Sequence, residues 1–271
     1  MMLGVSTSVL QVKSDLEALL DYQPDLVEFY TYPVEALPRI RKFCADHDIR
    51  PALHTPTPHP QLMPRYCPTG PDPQEAAAAI AALETTVRCS ADLGAQHVVA
   101  HFPTPYPPFP VEGFEDFATA FLAEADRLTQ LFQVPVLIEN MTDNPHCASA
   151  EQYLRFLEEW PNLGLCLDIG HAHQLGGPEA VRSFADVLGP RIKSVHLYDN
   201  DRSRSGHRPY PAPGSGTHPQ VPYGVVAHVL RTCRPAAVAL EHDEGHGHPD
   251  RRLLEWLREL AECLSPRRDK Q

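Results

Sequence analysis

Eight short apolar runs recur along this chain, and the longer stretches between them carry apolar residues at helical spacing. The runs are LGVST (3–7), LVEFY (26–30), PALHT (51–55), HVVAHF (97–102), PVLIEN (135–140), GLCLDIG (164–170), IKSVHLY (192–198) and AAVALEH (236–242). They read as strands, and few of them alternate polar with apolar, so they fit strands buried on both faces. Helical stripes follow: Ile80, Leu83 and Val87 after the cap and first-turn proline of Asp72-Pro73, then Phe114, Phe117, Phe121, Leu122, Ala125, Leu128 and Phe132, and finally Leu253, Trp256, Leu257, Leu260 and Leu264.

Strand and helix alternating without hairpin turns imply a parallel sheet, and eight is the number that closes. The expected fold is α/β, a (β/α)8 barrel of the TIM type in a single domain over residues 1–264, followed by a charged C-terminal tail, 265–271. An open doubly wound sheet is the competing topology, but no G-x-G-x-x-G follows the first strand.

In such a barrel the segments that follow strands lie on the C-terminal face, where chemistry is done. Two of them are long and proline-rich, Thr55 to Asp72 and Asp199 to Pro222. The same face collects a series of polar strand ends: His54, His101, Glu139, Asp168 with His171 three residues on, His196 and Glu241. Singly, each has an ordinary reading as a hydrogen-bonded core residue. Together, three carboxylates and four imidazoles around one axis cannot satisfy one another, and the carboxylates would repel unless protonated or bound to cations. A metal site follows, and its mixed imidazole and carboxylate donors suit Zn, Mn, Fe or Co better than Mg or Ca.

Composition narrows the partners. Lys and Arg number 23 against 35 Asp and Glu, a net charge of −12 that repels phosphodiester backbones on average and disfavours nucleic acid as a partner. The seven cysteines are widely spaced and form no C-x-x-C pair, as expected of a reducing cytoplasm. No stretch of about 18 apolar residues occurs, and the opening segment lacks a basic stretch followed by a long apolar run, so neither membrane nor export is expected. A small molecule is the expected partner; oligomeric state is not written in the chain.

The motifs HTP, AHFP, LIEN, CLDIGHAH, VHLYDND and ALEH, in that order over nearly the whole chain, resemble the xylose isomerase-like barrel superfamily, which contains endonuclease IV and many sugar and sugar-phosphate isomerases and epimerases. The resemblance implies a common metal centre of Glu139, Asp168, His196 and Glu241, with the two glutamates doubling as proton carriers in the single-metal isomerases. The endonuclease IV pattern would extend it to as many as three ions. His54 and His101 would hold a second with Glu139, and His171 a third with an Asp-x-His pair after strand seven. Here that pair is expected at Gly216-Thr217-His218, which lacks the aspartate.

Three functions are compatible with these residues. A metal-dependent isomerase or epimerase of a small sugar or sugar phosphate would move a proton through an enediolate between Glu139 and Glu241, with Arg202, Arg204 or Arg208 available to a phosphate. A metal-dependent phosphodiesterase acting at abasic DNA would use two or three ions. A non-catalytic metal-binding barrel is the third, and a metal-dependent oxidase is conceivable with iron bound. Glu28 reads equally as a substrate contact or a structural carboxylate. His59, His173 and the histidines of 242–248 read as rim or surface residues, and Cys166 as an inert buried thiol.

Overall fold

The computed structural model describes residues 1–60, 63, 65–142, 144–202, 206–244 and 248–264. Eight parallel strands close in sequence order: β1 Met2–Ser6, β2 Leu26–Tyr30, β3 Arg50–His54, β4 Val98–Phe102, β5 Val136–Asn140, β6 Gly164–Asp168, β7 Ile192–Leu197 and β8 Ala237–Leu240, with β8 pairing back onto β1. Among the described residues seven α-helices surround them: α1 Leu37–Asp46, α2 Pro73–Leu93, α3 Phe114–Phe132, α4 Ala150–Glu159, α5 Ile169–Leu188, α6 Tyr223–Cys233 and α7 Arg251–Leu264. The fold is the single-domain (β/α)8 barrel. The tail 265–271 lies outside the described residues.

One expected helix takes another form. The connection from β1 to β2 is two 3-10 segments, Thr7–Val9 and Leu16–Tyr22, rather than an α-helix. Its buried residues Leu16, Leu19 and Tyr22 recur every three positions, which is the period of a 3-10 helix and not of an α-helix.

The main core lies between barrel and helices, where Phe102, Phe121 and Tyr153 are fully buried. A second, smaller layer fills the barrel itself, made by the separate clusters Leu26, Ala52 and Ala237, and Val99, Leu137 and Cys166. Side chains alternate along a strand with period two, so the residue two positions beyond an inward one also points inward. Two beyond Leu26, Ala52, Val99, Leu137 and Cys166 stand Glu28, His54, His101, Glu139 and Asp168. Strand register then sets these groups side by side, pairing His101 with Glu139 and Asp168 with His196.

Candidate metal centre

The abrupt end of LCLDIGHAH has a local cause. Asp168 closes β6 and also caps α5, its Oδ1 accepting from the His171 amide at 2.7 Å, so the chain turns from strand to helix on that carboxylate. Asn140 clamps the same residue: its Nδ2 donates to Asp168 O at 3.0 Å and its Oδ1 accepts from Asp168 N at 2.7 Å. Gly170 is required by crowding, because a Cβ there would lie 2.2 Å from the Tyr198 ring.

The expected rim residues converge. Nδ1 of His196 lies 2.6 Å from Glu241 Oε2 and 3.4 Å from Glu139 Oε1, while Glu139 Oε2 is 3.0 Å from His54 Nε2 and 3.4 Å from His101 Nε2. Nδ1 of His171 stands 3.3 Å from Asp168 Oδ2 and donates to Asn140 O at 3.0 Å. Three donor sets emerge among the described residues in which one atom from each residue lies within 4.8 Å of the others: Glu139, Asp168, His196 and Glu241; the trio His54, His101 and Glu139; and Glu28, His54 and Glu241.

Such a cluster is costly without a cation. Glu28, Glu139, Asp168 and Glu241 are all buried, and each desolvated carboxylate carries a penalty of order several kcal/mol. Burial, with Glu139 nearby, pushes the Asp168 carboxyl up to about 8. Burial also opposes charge on Glu139 and on His196, yet the imidazoles around Glu139 hold its carboxyl well below the usual range, and the surrounding carboxylates hold His196 well above its own. His54, desolvated but bonded to Glu139, is raised to about 9, whereas desolvation takes His101 down to about 4. Asp168 Oδ2 and His196 Nδ1 are buried, and their contacts to His171 and Glu241 are close without the geometry of a hydrogen bond. Both belong to the four-residue donor set, so the residues present fit a divalent ion.

Glu28 has a place the sequence left ambiguous. It is wholly buried beneath the cluster, Oε1 3.0 Å from His196 Nε2 and Oε2 3.6 Å from His97 Nε2. A carboxylate at the far nitrogen of a ligating imidazole sets its tautomer and leaves Nδ1 for the ion. Asn140 was not among the expected residues, although it ends the LIEN motif.

Other expectations change. His218 is exposed and belongs to none of the three donor sets. From the same connection it is His207 that reaches the site, its ring stacked on Tyr198 with centroids 4.0 Å apart and 5.8 Å from the ring of His171. Arg202 and Arg208 are exposed; Arg208 pairs with Asp201, and no polar contact joins either arginine to the cluster among the described residues. Arg204 lies outside the described residues. His173 and His242 are buried rather than superficial, His242 Nε2 lying 2.9 Å from Tyr22 OH.

Comparison with known proteins agrees with this architecture. A D-tagatose 3-epimerase-like protein superposes with a TM-score of 0.71 at 18% identity, covering 97% of this chain and 98% of its own. D-allulose 3-epimerase from Methylomonas sp., solved with D-allulose, gives 0.72 at 15% identity, with 96% of each chain covered. The IolI protein with a bound zinc atom gives 0.67 at 18%, covering 97% of this chain and 96% of its own. No curated protein matches the sequence. The family model described as xylose isomerase-like TIM barrel matches residues 16–260, and the chain belongs to that family.

Proposed function

We propose that this chain is a metal-dependent isomerase or epimerase of a small sugar or sugar phosphate. The observation that carries the reading is the convergence of two carboxylates, Glu139 from β5 and Glu241 just past β8, on Nδ1 of His196 in one donor set with Asp168. A divalent ion held by Glu139, Asp168, His196 and Glu241 would supply the Lewis acidity that makes a carbon beside a carbonyl acidic. The mixed donor set favours Zn, Mn, Fe or Co, and the solved IolI protein carries zinc.

The chain's own groups then divide the proton work. One glutamate, ionised, takes the proton from that carbon to give an enediolate and ends protonated, and the other, protonated at that stage, gives its own proton to the opposite face for epimerisation or to the neighbouring carbon for isomerisation, ending ionised. His196 is held from below by Glu28, and Asp168 is held by the paired hydrogen bonds of Asn140, so the two proton carriers flank rigid groups. Neighbours that are sugar 3-epimerases support a small-molecule substrate of this class. All seven cysteines are free, in keeping with a cytoplasmic place, and no described helix is long and apolar enough to cross a membrane. Incubating the purified protein with each of a panel of ketoses should interconvert one pair. Chelation should stop the reaction and one of the four metals should restore it.

A second reading, phosphodiester cleavage of the endonuclease IV kind, draws on the trio His54, His101 and Glu139, which could hold another ion. Against it stand the charge of −12 and the exposed position of His218. Elemental analysis separates the two, one ion per chain favouring the isomerase and three the nuclease.

A further inference from the structure

Tyr198 is wholly buried beside the main donor set, yet it neither holds the ion nor moves the proton. It lies just past the end of β7, two positions beyond His196, and the period of a strand turns it the same way, one layer nearer the mouth. His207 stacks on its ring, centroids 4.0 Å apart and interplanar angle 11°. The carbonyl of His207 accepts from the Asp243 amide at 2.9 Å, which ties that stack to the chain just past β8. His171 meets the same ring edge-on, centroids 6.3 Å apart. The hydroxyl end lies against Gly170, where an added Cβ would stand 2.5 Å from the hydroxyl oxygen. The glycine of LCLDIGHAH thus leaves room for this phenol.

The hydroxyl so placed is buried and makes no hydrogen bond among the described residues. A buried hydroxyl without a partner costs stability. The chain nevertheless gives up a side chain at Gly170 and stacks an imidazole on the ring to keep it there. A phenol carries its proton at neutral pH, and burial, with Asp168 and Glu241 the carboxylates that act on it most, pushes it further that way, so it is a donor and not a base. The main donor set has no hydrogen to spare: its carboxylates accept or carry the transferred proton, and Nε2 of His196 stands against Glu28. As an enediolate forms, a substrate oxygen gains negative charge, and a fixed donor inside a buried site stabilises that charge more than water does.

We infer that Tyr198 is a catalytic residue whose hydroxyl donates a hydrogen bond to the substrate oxygen that gains charge as the enediolate forms. This rests on the isomerase reading and deepens it. Tyr198→Phe removes that oxygen and keeps the ring, its stack on His207 and its seat on Gly170. With the ketose that metal-loaded wild-type protein interconverts, the variant should lose about 10²–10³-fold in kcat, as loss of one such donor does, with KM within about threefold. Metal affinity, read by competition, should stay within about threefold of wild type, unlike the loss expected of a residue that supports a ligand. Because the hydroxyl has no partner, the metal-free variant should melt no lower than metal-free wild type.

Unchanged kcat in Tyr198→Phe would overturn the inference. So would a rise in KM alone, which assigns the hydroxyl to substrate binding and not to developing charge. A loss of metal affinity of about tenfold or more would make Tyr198 a support of Asp168, and a lower melting temperature or failure to fold would give its hydroxyl a structural partner; either result overturns the catalytic role. The isomerase reading is judged on wild-type protein, by uptake of solvent deuterium into a ketose. Uptake at equal rates in wild type and Tyr198→Phe sinks the role of Tyr198 and leaves the reaction standing. No uptake by wild type with any ketose tested sinks both.

Discussion

The strand ends of β3 to β8 and the connection that follows β7 both offer histidines and carboxylates to the same mouth, and they behave differently. His54, His101, Glu139, Asp168, His196 and Glu241 all reach one cluster. From the connection, His218 stays outside while His207, eleven residues earlier, lies against Tyr198 and His171. A strand end has its position and facing set by hydrogen-bonded register and a period of two, so its type and place in the run are enough to locate it. A residue in a long connection has neither constraint.

The comparison can be broken most sharply at the cluster itself. Asp168→Ala or His196→Ala should empty the main site, with metal content and activity lost together, by more than the roughly 10–100-fold that loss of an outer partner costs. Unchanged metal content in Asp168→Ala would remove it from the ligands. Glu28→Gln probes the strand-held layer beneath. It should weaken metal affinity by about 10–100-fold through His196 while the fold persists, as read by metal competition and circular dichroism.

The pH response of the metal-free protein sharpens the same contrast, because His54 and Asp168, the two groups raised to about 9 and about 8, both end strands. His54 at about 9 and Asp168 at about 8 sit above their ordinary values of 6.5 and 3.8, so the folded state holds their protons more tightly than the unfolded chain does. Their contribution is complete below those ordinary values and is lost as pH rises through the folded ones. Between pH 6.5 and 9 other groups do not reverse the trend. His196 shifts the same way, while His101, His171, Glu139, Glu28 and Glu241 are all lowered and already give their full contribution above 6.5. The melting temperature of metal-free protein should therefore fall across that range, by about 2–4 °C per kcal/mol lost. Added metal should raise it more at pH 8.5 than at 6.5, since binding expels these protons. A rising metal-free curve would contradict the shifts. Smallest of all, His218→Ala, at an exposed position, should change metal affinity by less than about twofold.

Legibility followed the same line. The barrel was readable because its runs and stripes recur, and the cluster because each member ends a run. Glu28 was visible but undecidable: period two places it inside the barrel, yet nothing along the chain says that His196 stands across from it at 3.0 Å. Asn140 went unnoticed because its work is a pair of hydrogen bonds to a backbone on the next strand, past the last paired position of that register. The first crossover departed from the repeating helix because Leu16, Leu19 and Tyr22 follow a three-residue period over a short segment. His207 and His218 are indistinguishable in a proline-rich connection, because neither strand register nor helical period fixes where either side chain points.

The central claim is that Glu139 and Glu241 exchange a proton with a sugar carbon, and hydrogen isotope uptake tests it most directly. Metal-loaded protein incubated with a panel of ketoses in deuterated water should place solvent deuterium on the reacting carbon of one of them. Glu241→Gln, which keeps the shape and removes the acid/base group, should abolish that uptake. Efficient cleavage of an abasic duplex, lost in Glu241→Gln, with no deuterium entering any sugar tested, would contradict the account and return the site to phosphodiester chemistry.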